Sequence, residues 1–197
     1  MAKEIKYNYY FWGPFLYQTK LDKKEISKVK KLCSKKSKDV RTSLAGLIRN
    51  EHEIDVNKLY PIIEPYIQSY GEGFRSYRNK NLGDKVALIR SWVNYMTKFE
   101  TNPLHVHGED LSFVIILNVP KELKKERDQT VSRGNKQGEL VFISSLSARD
   151  EFITSHNFFP EVGDFFIFPA ALHHYVNSFK CDGERISVSG NLRIING

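Results

Sequence analysis

The feature that most constrains this chain is the series of short apolar segments that begins at Lys85. VALIRSWVNYM, DLSFVIILNV, GELVFIS, GDFFIFPA and ERISVSGNLRII are rich in Val, Ile and Phe, and Gly, Asn, Asp or Pro lies close to each of them. Such residues suit a pleated surface, and the turn formers end each run before it reaches helical length. Several strands at close spacing, with few helical stretches between them, predict antiparallel pairing and closure as a sandwich or jelly roll. Residues 121–138, KELKKERDQTVSRGNKQG, depart from the pattern. They are polar and charged, and read as a mobile insertion between two strands.

Residues 1–84 read as mainly helical. Ile26, Val29, Leu32 and Cys33 recur at helical spacing among lysines, and Leu59, Ile62, Ile63, Tyr66, Ile67, Tyr70, Phe74 and Tyr77 form a stronger stripe. One face of that second helix is expected against a sheet. Pro61 is tolerable in a first turn, whereas Pro65 should kink the helix or delay its start. The fold class is therefore α+β, a single domain over 1–197. Its N-terminal helices pack on one sheet of a β-barrel that occupies residues 85–197.

At 197 residues the chain is long enough for one sizeable core. No apolar run approaches the length of a membrane span. The opening MAKEIKYNYYFW carries charges where a signal peptide needs an apolar stretch, and there are two cysteines, Cys33 and Cys181. Both points favour a cytoplasmic protein and exclude a disulfide framework. The net charge of +7 is local: residues 1–50 hold 13 Lys and Arg against 4 Asp and Glu, and the rest of the chain holds 17 against 19. The excess centres on the lysine-rich segment 20–41. It reads first as the solvated face of a helix, and second as a patch for nucleic acid or another acidic partner.

Four of the six histidines fall in two clusters. The first is Asn102-Pro103-Leu104-His105-Val106-His107-Gly108-Glu109-Asp110; the second is Phe168-Pro169-Ala170-Ala171-Leu172-His173-His174. On a strand, residues i and i+2 share a face, so His105 and His107 can reach one point, whereas only one of His173 and His174 can face the same pocket. Imidazoles presented by two strands suit Fe, Zn, Cu or Ni and leave coordination positions open. Eleven residues past His174 comes Arg185. Alternation places Arg185, Ser187, Ser189 and Asn191 on one face and Ile186, Val188, Leu192 and Ile194 on the other. A row of polar side chains on a strand buried on both sides needs partners. Arg grips a carboxylate with two parallel hydrogen bonds, and a nearby Ser can donate a third.

These motifs, in this order, resemble the 2-oxoglutarate/Fe(II)-dependent oxygenases, within them a bacterial and phage-type group. The resemblance rests on Asn102–His107, Leu111–Leu117, Gly163-Asp164-Phe165, Phe168-Pro169, His174 and Arg185-Ile186-Ser187, and spans roughly residues 85 to 195. It implies a double-stranded β-helix (jelly-roll) fold that uses Fe(II), 2-oxoglutarate and O2. It also implies His105 as the first iron ligand, His174 as the last, and Arg185 with Ser187 on the distal carboxylate of 2-oxoglutarate. His173 would face away, and Asn94 would be a further contact to the co-substrate. The activity implied is hydroxylation coupled to decarboxylation of 2-oxoglutarate. Prolyl hydroxylation is the first guess, and the substrate is a protein side chain or a small molecule.

The sequence departs from the family at one position. The usual His-x-Asp or His-x-Glu is here His105-x-His107, so either three histidines hold the metal or Asp110 or Glu109 swings in from the turn. Same-face geometry favours His107. Trp92, Tyr95 and the insertion 121–138 could shape the substrate side. Two other readings compete: a cupin-like three-histidine metalloenzyme that does not use 2-oxoglutarate, and a metal-binding barrel that serves as an interaction module. Exposed apolar strand edges would suit a homodimer.

Overall fold

The structure is a computed structural model, and it describes residues 4–11, 13–131, 136–144 and 155–196. It has three layers: two helices, a seven-stranded antiparallel sheet, and a four-stranded antiparallel sheet.

The strands are β1 (Tyr7–Phe11), β2 (Phe15–Lys20), β3 (Glu51–Glu53), β4 (Lys85–Met96), β5 (Asn102–His105), β6 (Leu111–Asn118), β7 (Leu140–Ile143), β8 (Ser155–Phe158), β9 (Asp164–Pro169), β10 (His173–Val176) and β11 (Arg185–Ile195). The large sheet runs β1-β2-β9-β6-β11-β4-β3 and the small one β5-β10-β7-β8. Among the described residues no ladder joins the two sheets into a closed cylinder, so the expected barrel is here a pair of facing sheets.

Alternation along the central strands makes the layers. Val93, Tyr95, Phe113, Ile115, Phe165, Ile167, Val188 and Leu192 point to one face of the large sheet and share a core with the helices. Met96, Val114, Ile116, Phe166 and Phe168 point to the other and pack with Leu140, Phe142, Phe158 and Val176 of the small sheet. A period of two thus sends every second side chain to each core. Gly190 on β11 is required by this packing, because a Cβ there would lie 2.5 Å from the Phe113 ring and 2.6 Å from the Arg90 carbonyl.

Helix α1 (Lys23–Leu32) starts with a capping box. The Asp22 carboxylate accepts from the Glu25 amide at 2.8 Å, and the Asp22 amide donates back to the Glu25 side chain at 2.9 Å. Helix α2 (Val56–Arg78) is capped by Asp55 and ends at Asn79 in the left-handed conformation. It begins ahead of both prolines and runs through them. The delayed start expected from Pro65 is therefore absent: the buried stripe of Leu59, Ile63, Tyr66, Ile67 and Tyr70 holds the helix against the sheet despite the lost amide donors.

Two readings of the sequence need correction. Residues 1–84 hold strands as well as the two expected helices, since β1, β2 and β3 lie within them and extend the large sheet at both edges. β2 is buried almost throughout, so it lacks the alternation that marks a half-buried strand. The segment 121–138 is also more than a loop. It carries α3 (Leu123–Asp128), whose Leu123 is buried in the inter-sheet core and whose Glu126 carboxylate accepts from the Lys180 and Cys181 amides. Residues 132–135 of that insertion lie outside the described residues.

Candidate metal and co-substrate site

The register of the two sheets assembles the site. On the small sheet, β10 pairs with β5 so that His174 lies directly opposite His105. A bulge between this pair and Val176–Asn102 absorbs an extra residue of β5 and keeps both Asn102 and His105 facing inward. His107 follows β5, and its amide donates to the Ala170 carbonyl at 2.9 Å. The three rings lie 4.2 Å (His105–His174), 4.9 Å (His105–His107) and 5.2 Å (His107–His174) apart, and one nitrogen from each falls within 4.8 Å of the others.

The backbone fixes two of the tautomers. His105 Nδ1 lies 2.7 Å from the Pro103 carbonyl, and His174 Nδ1 lies 2.8 Å from the Leu172 carbonyl. A carbonyl can only accept, so each Nδ1 carries the proton and each Nε2 keeps a free lone pair. Burial holds all three imidazoles below their ordinary pKa, His174 most strongly. His107 is brought to about 4 by burial, assisted by His105 and Arg90. Near neutral pH the cluster therefore presents uncharged ligands.

Across the cavity stands the large sheet. Arg185 is paired with Met96 and Ser187 with Asn94 on the β11–β4 ladder, and all four line the same cavity as the histidines. Arg185 is 2% exposed, one of the largest fully buried side chains. Its Nη1 donates to Ser187 Oγ at 3.5 Å, while Nε and Nη2 have no hydrogen-bond partner among the described residues. Burial pulls its pKa down to about 10, opposed by the charge of Asp164. Asn94 Nδ2 donates to Ser187 Oγ at 3.4 Å and Ser189 Oγ at 3.3 Å, and its Oδ1 is without a partner among the described residues. A buried cation with two unused N–H donors is a costly arrangement in an empty fold and a ready one for a carboxylate.

Both carboxylates considered as alternative ligands are engaged elsewhere. Asp110 Oδ2 accepts from the Ile194 amide at 2.7 Å, and Glu109 forms a two-pronged ion pair with Arg193 at 2.9 and 3.1 Å. They tie the end of β11 to the turn before β6 and stand apart from the histidine cluster. His173 is exposed on the outer face of the small sheet. Trp92 walls the cavity 5.9 Å from the His107 ring, whereas Tyr95 belongs to the helix-side core.

The family described as "Putative 2OG-Fe(II) oxygenase" matches residues 90–191, more than half of the chain and every residue of the two clusters. The chain belongs to this 2OG-Fe(II) oxygenase family. It is accordingly an enzyme of the class that uses Fe(II), 2-oxoglutarate and O2. No curated protein matches this oxygenase in sequence. Among solved structures it is similar to a 2OG-Fe(II) oxygenase family oxidoreductase from Burkholderia pseudomallei, at 14% identity and TM-score 0.56, covering 92% of this chain and 85% of that one. It is also similar to a Pseudomonas putida prolyl-4-hydroxylase, at 15% identity and TM-score 0.56, covering 94% of each chain. A third is the viral collagen prolyl hydroxylase of Paramecium Bursaria Chlorella virus-1, solved with 2-oxoglutarate, at 15% identity and TM-score 0.53, covering 93% and 98%. At these identities the likeness is one of fold.

Sequence alternation could not reveal two further groups beside the site. Buried Glu51 lies opposite Asn94 on the β3–β4 ladder, and buried Asp164 faces the same interior as Arg185. Asp164 stood within a recognised motif, but its ion pair with Lys20, at 3.6 Å, is set by tertiary structure alone.

Proposed function

We propose that this oxygenase is a hydroxylase of the prolyl-hydroxylase type on a jelly-roll scaffold, acting in the cytoplasm on a protein side chain or a small molecule. Its iron would be held by His105, His107 and His174. The observation that carries the reading is the orphaned Arg185 guanidinium in the same cavity as three metal-competent imidazoles.

The donor set fits Fe(II), since imidazole is a good ligand for it and three ligands leave positions open. When bound, Fe(II) with 2-oxoglutarate and O2 supplies the oxidising chemistry: one oxygen atom enters a substrate C–H bond, the other enters succinate, and CO2 leaves. The chain's own part is placement. Pro103 and Leu172 carbonyls hold two imidazoles with Nε2 toward the centre. Arg185 Nε and Nη2 would take the far carboxylate of 2-oxoglutarate, with the Ser187 hydroxyl and Asn94 beside it. Trp92, Met96, Val114 and Val176 exclude water from the cavity wall.

A specific observation favours a second reading. With Asp110 and Glu109 engaged elsewhere, a site of three neutral ligands is more positive by one unit than the usual pair of histidines and a carboxylate. That suits a cupin-like enzyme in which Arg185 binds a substrate acid directly. Anaerobic titration of the apo-protein with Fe(II) and then 2-oxoglutarate separates the two. The hydroxylase reading expects a visible metal-to-ligand charge-transfer band that is lost in Arg185→Ala and in His174→Ala. Iron binding without that band would favour the cupin-like reading.

A further inference from the structure

The positive charge of this molecule has a path. On α1, Lys24, Lys28 and Lys31 are exposed at the spacing of one helical face, with Lys23 and Lys30 beside them. The chain then leaves the helix layer and wraps the β3 edge of the large sheet. The Glu53 amide donates to the Lys38 carbonyl at 2.9 Å, the Val40 amide donates to the Glu51 carbonyl at 3.0 Å, and Asp39 bridges His52. Lys36 and Lys38 are exposed along this wrap. Next comes a 3-10 turn, Arg41–Ser43, where the Arg90 guanidinium donates to the Ser43 hydroxyl and carbonyl. Ile48, a few residues on, lines the cavity itself.

Arg90 ends the path at the site. Its guanidinium lies 5.5 Å over the Trp92 ring, whose centre is 5.9 Å from that of His107. Arg41 is neutralised by Asp39, Arg49 by Glu100 and Lys35 by Glu184. Lys23, Lys24, Lys28, Lys30, Lys31, Lys36, Lys38 and Arg90 form no ion pair among the described residues. Eight cations without an ion pair among the described residues follow the chain from a helix face along the β3 edge to the wall of the cavity, and so form a directed surface and not a scattered one.

We propose that this course is the docking surface for an acidic polypeptide, and that Arg90 holds an acid group of that polypeptide beside the cavity. The inference rests on the hydroxylase reading for what happens in the cavity, but the docking surface stands independently of it. One observation favours a polypeptide over a nucleic acid. Residues 20–50 contain no Phe, Tyr or Trp, so the course offers no platform for base stacking. The exposed apolar side chains near the cavity include Leu47, Leu104 and Val106, with one aromatic, Phe99, on the turn between β4 and β5.

The test is fluorescence anisotropy of the full chain, without iron or 2-oxoglutarate, against a labelled peptide of Glu, Pro and Leu and a labelled single-stranded oligonucleotide of equal charge. The peptide should bind the more tightly of the two and weaken with salt. The combined Lys24→Glu, Lys28→Glu, Lys31→Glu variant should lose roughly tenfold in affinity, and Arg90→Gln about threefold. Lys125→Glu, on α3, should change nothing. Lys→Gln versions of the same three positions keep the test valid if the reversal variant melts early. Tighter binding of the oligonucleotide would overturn the proposal in favour of a nucleic-acid surface. Absence of peptide binding, or equal loss in Lys125→Glu, would reduce the course to a solvated face. Because no cofactor is present, failure here leaves the charge-transfer test untouched, and an absent charge-transfer band leaves the docking surface standing.

Discussion

The two faces of β11 differ more than any other pair of surfaces in the molecule. Toward the helices the strand shows Ile186, Val188 and Leu192, with Val188 and Leu192 fully buried among Phe113, Phe165 and Tyr66. Toward the small sheet it shows Arg185, Ser187 and Ser189, with the first two equally buried but polar and only partly partnered. The backbone hydrogen bonds are common to both faces, so side chains alone make the difference. Burial on the helix side is favourable and stabilises the fold. Burial on the cavity side is unfavourable while these polar groups lack partners, and is tolerated because the other face supplies the stability.

The largest expected effect comes from breaking the helix face. Phe165 lies in T-shaped contact with Tyr66 at 5.3 Å and Phe113 at 5.7 Å, and is fully buried. Phe165→Ala should cost about 3–5 kcal/mol in urea unfolding. A much smaller cost would mean that the helix layer is not the main source of stability.

This contrast also explains what the sequence made legible. β4, β6, β9 and β11 were readable because each is a short run rich in Val, Ile and Phe with turn formers close by, and on β11 and around His105 and His107 a period of two sorted the side chains by face. On β10 alternation showed only that one of His173 and His174 can face in; the choice of His174 came from the family resemblance, and the structure buries His174 and exposes His173. The N-terminal strands were not readable. β2 is buried on both faces and β3 has three residues, so neither shows a period, although the aromatic run around Gly13-Pro14 carries a hairpin-like turn signal. The fate of Glu109 and Asp110 was hidden for another reason. Their partners, Arg193 and the Ile194 amide, come from the far end of β11, a pairing that register decides.

On the cavity face the sign of the mutation should reverse. Burial draws the Arg185 pKa down from its ordinary 12.5 to about 10, so at neutral pH the charged form is less favourable in the fold than in the unfolded chain. Arg185→Met keeps comparable bulk and removes the charge. Without 2-oxoglutarate the variant should be more stable than the wild type by about 1–3 kcal/mol. With saturating Fe(II) and 2-oxoglutarate the order should narrow or invert, because only the wild type gains from ligand binding. Thermal melts with and without the co-substrate would measure both. A variant less stable than the wild type in the absence of ligand would show that the guanidinium already has adequate partners, and the distinction between the two faces would blur.

The smallest effect sharpens the comparison at the sheet edge. Glu51 is 1% exposed, its Oε2 lacks a hydrogen-bond partner among the described residues, and a Cβ at Gly46 would lie 2.6 Å from its Oε1. Burial raises its pKa from 4.5 to about 7; the nearby charges of Asp39 and Glu100 add to the rise, and Arg41 and Arg90 oppose it. Between those two values the folded state keeps a proton that the unfolded chain releases. Its stability therefore falls as pH rises through this window, and the full penalty applies above about 7. Glu51→Gln removes the titration. The variant should match the wild type at about pH 4 and exceed it by about 1–2 kcal/mol at about pH 8, as read from melts across that range. A difference that does not depend on pH would mean that the Glu51 carboxyl contributes through its packing and not through its charge. The cavity-side penalty would then belong to Arg185 alone.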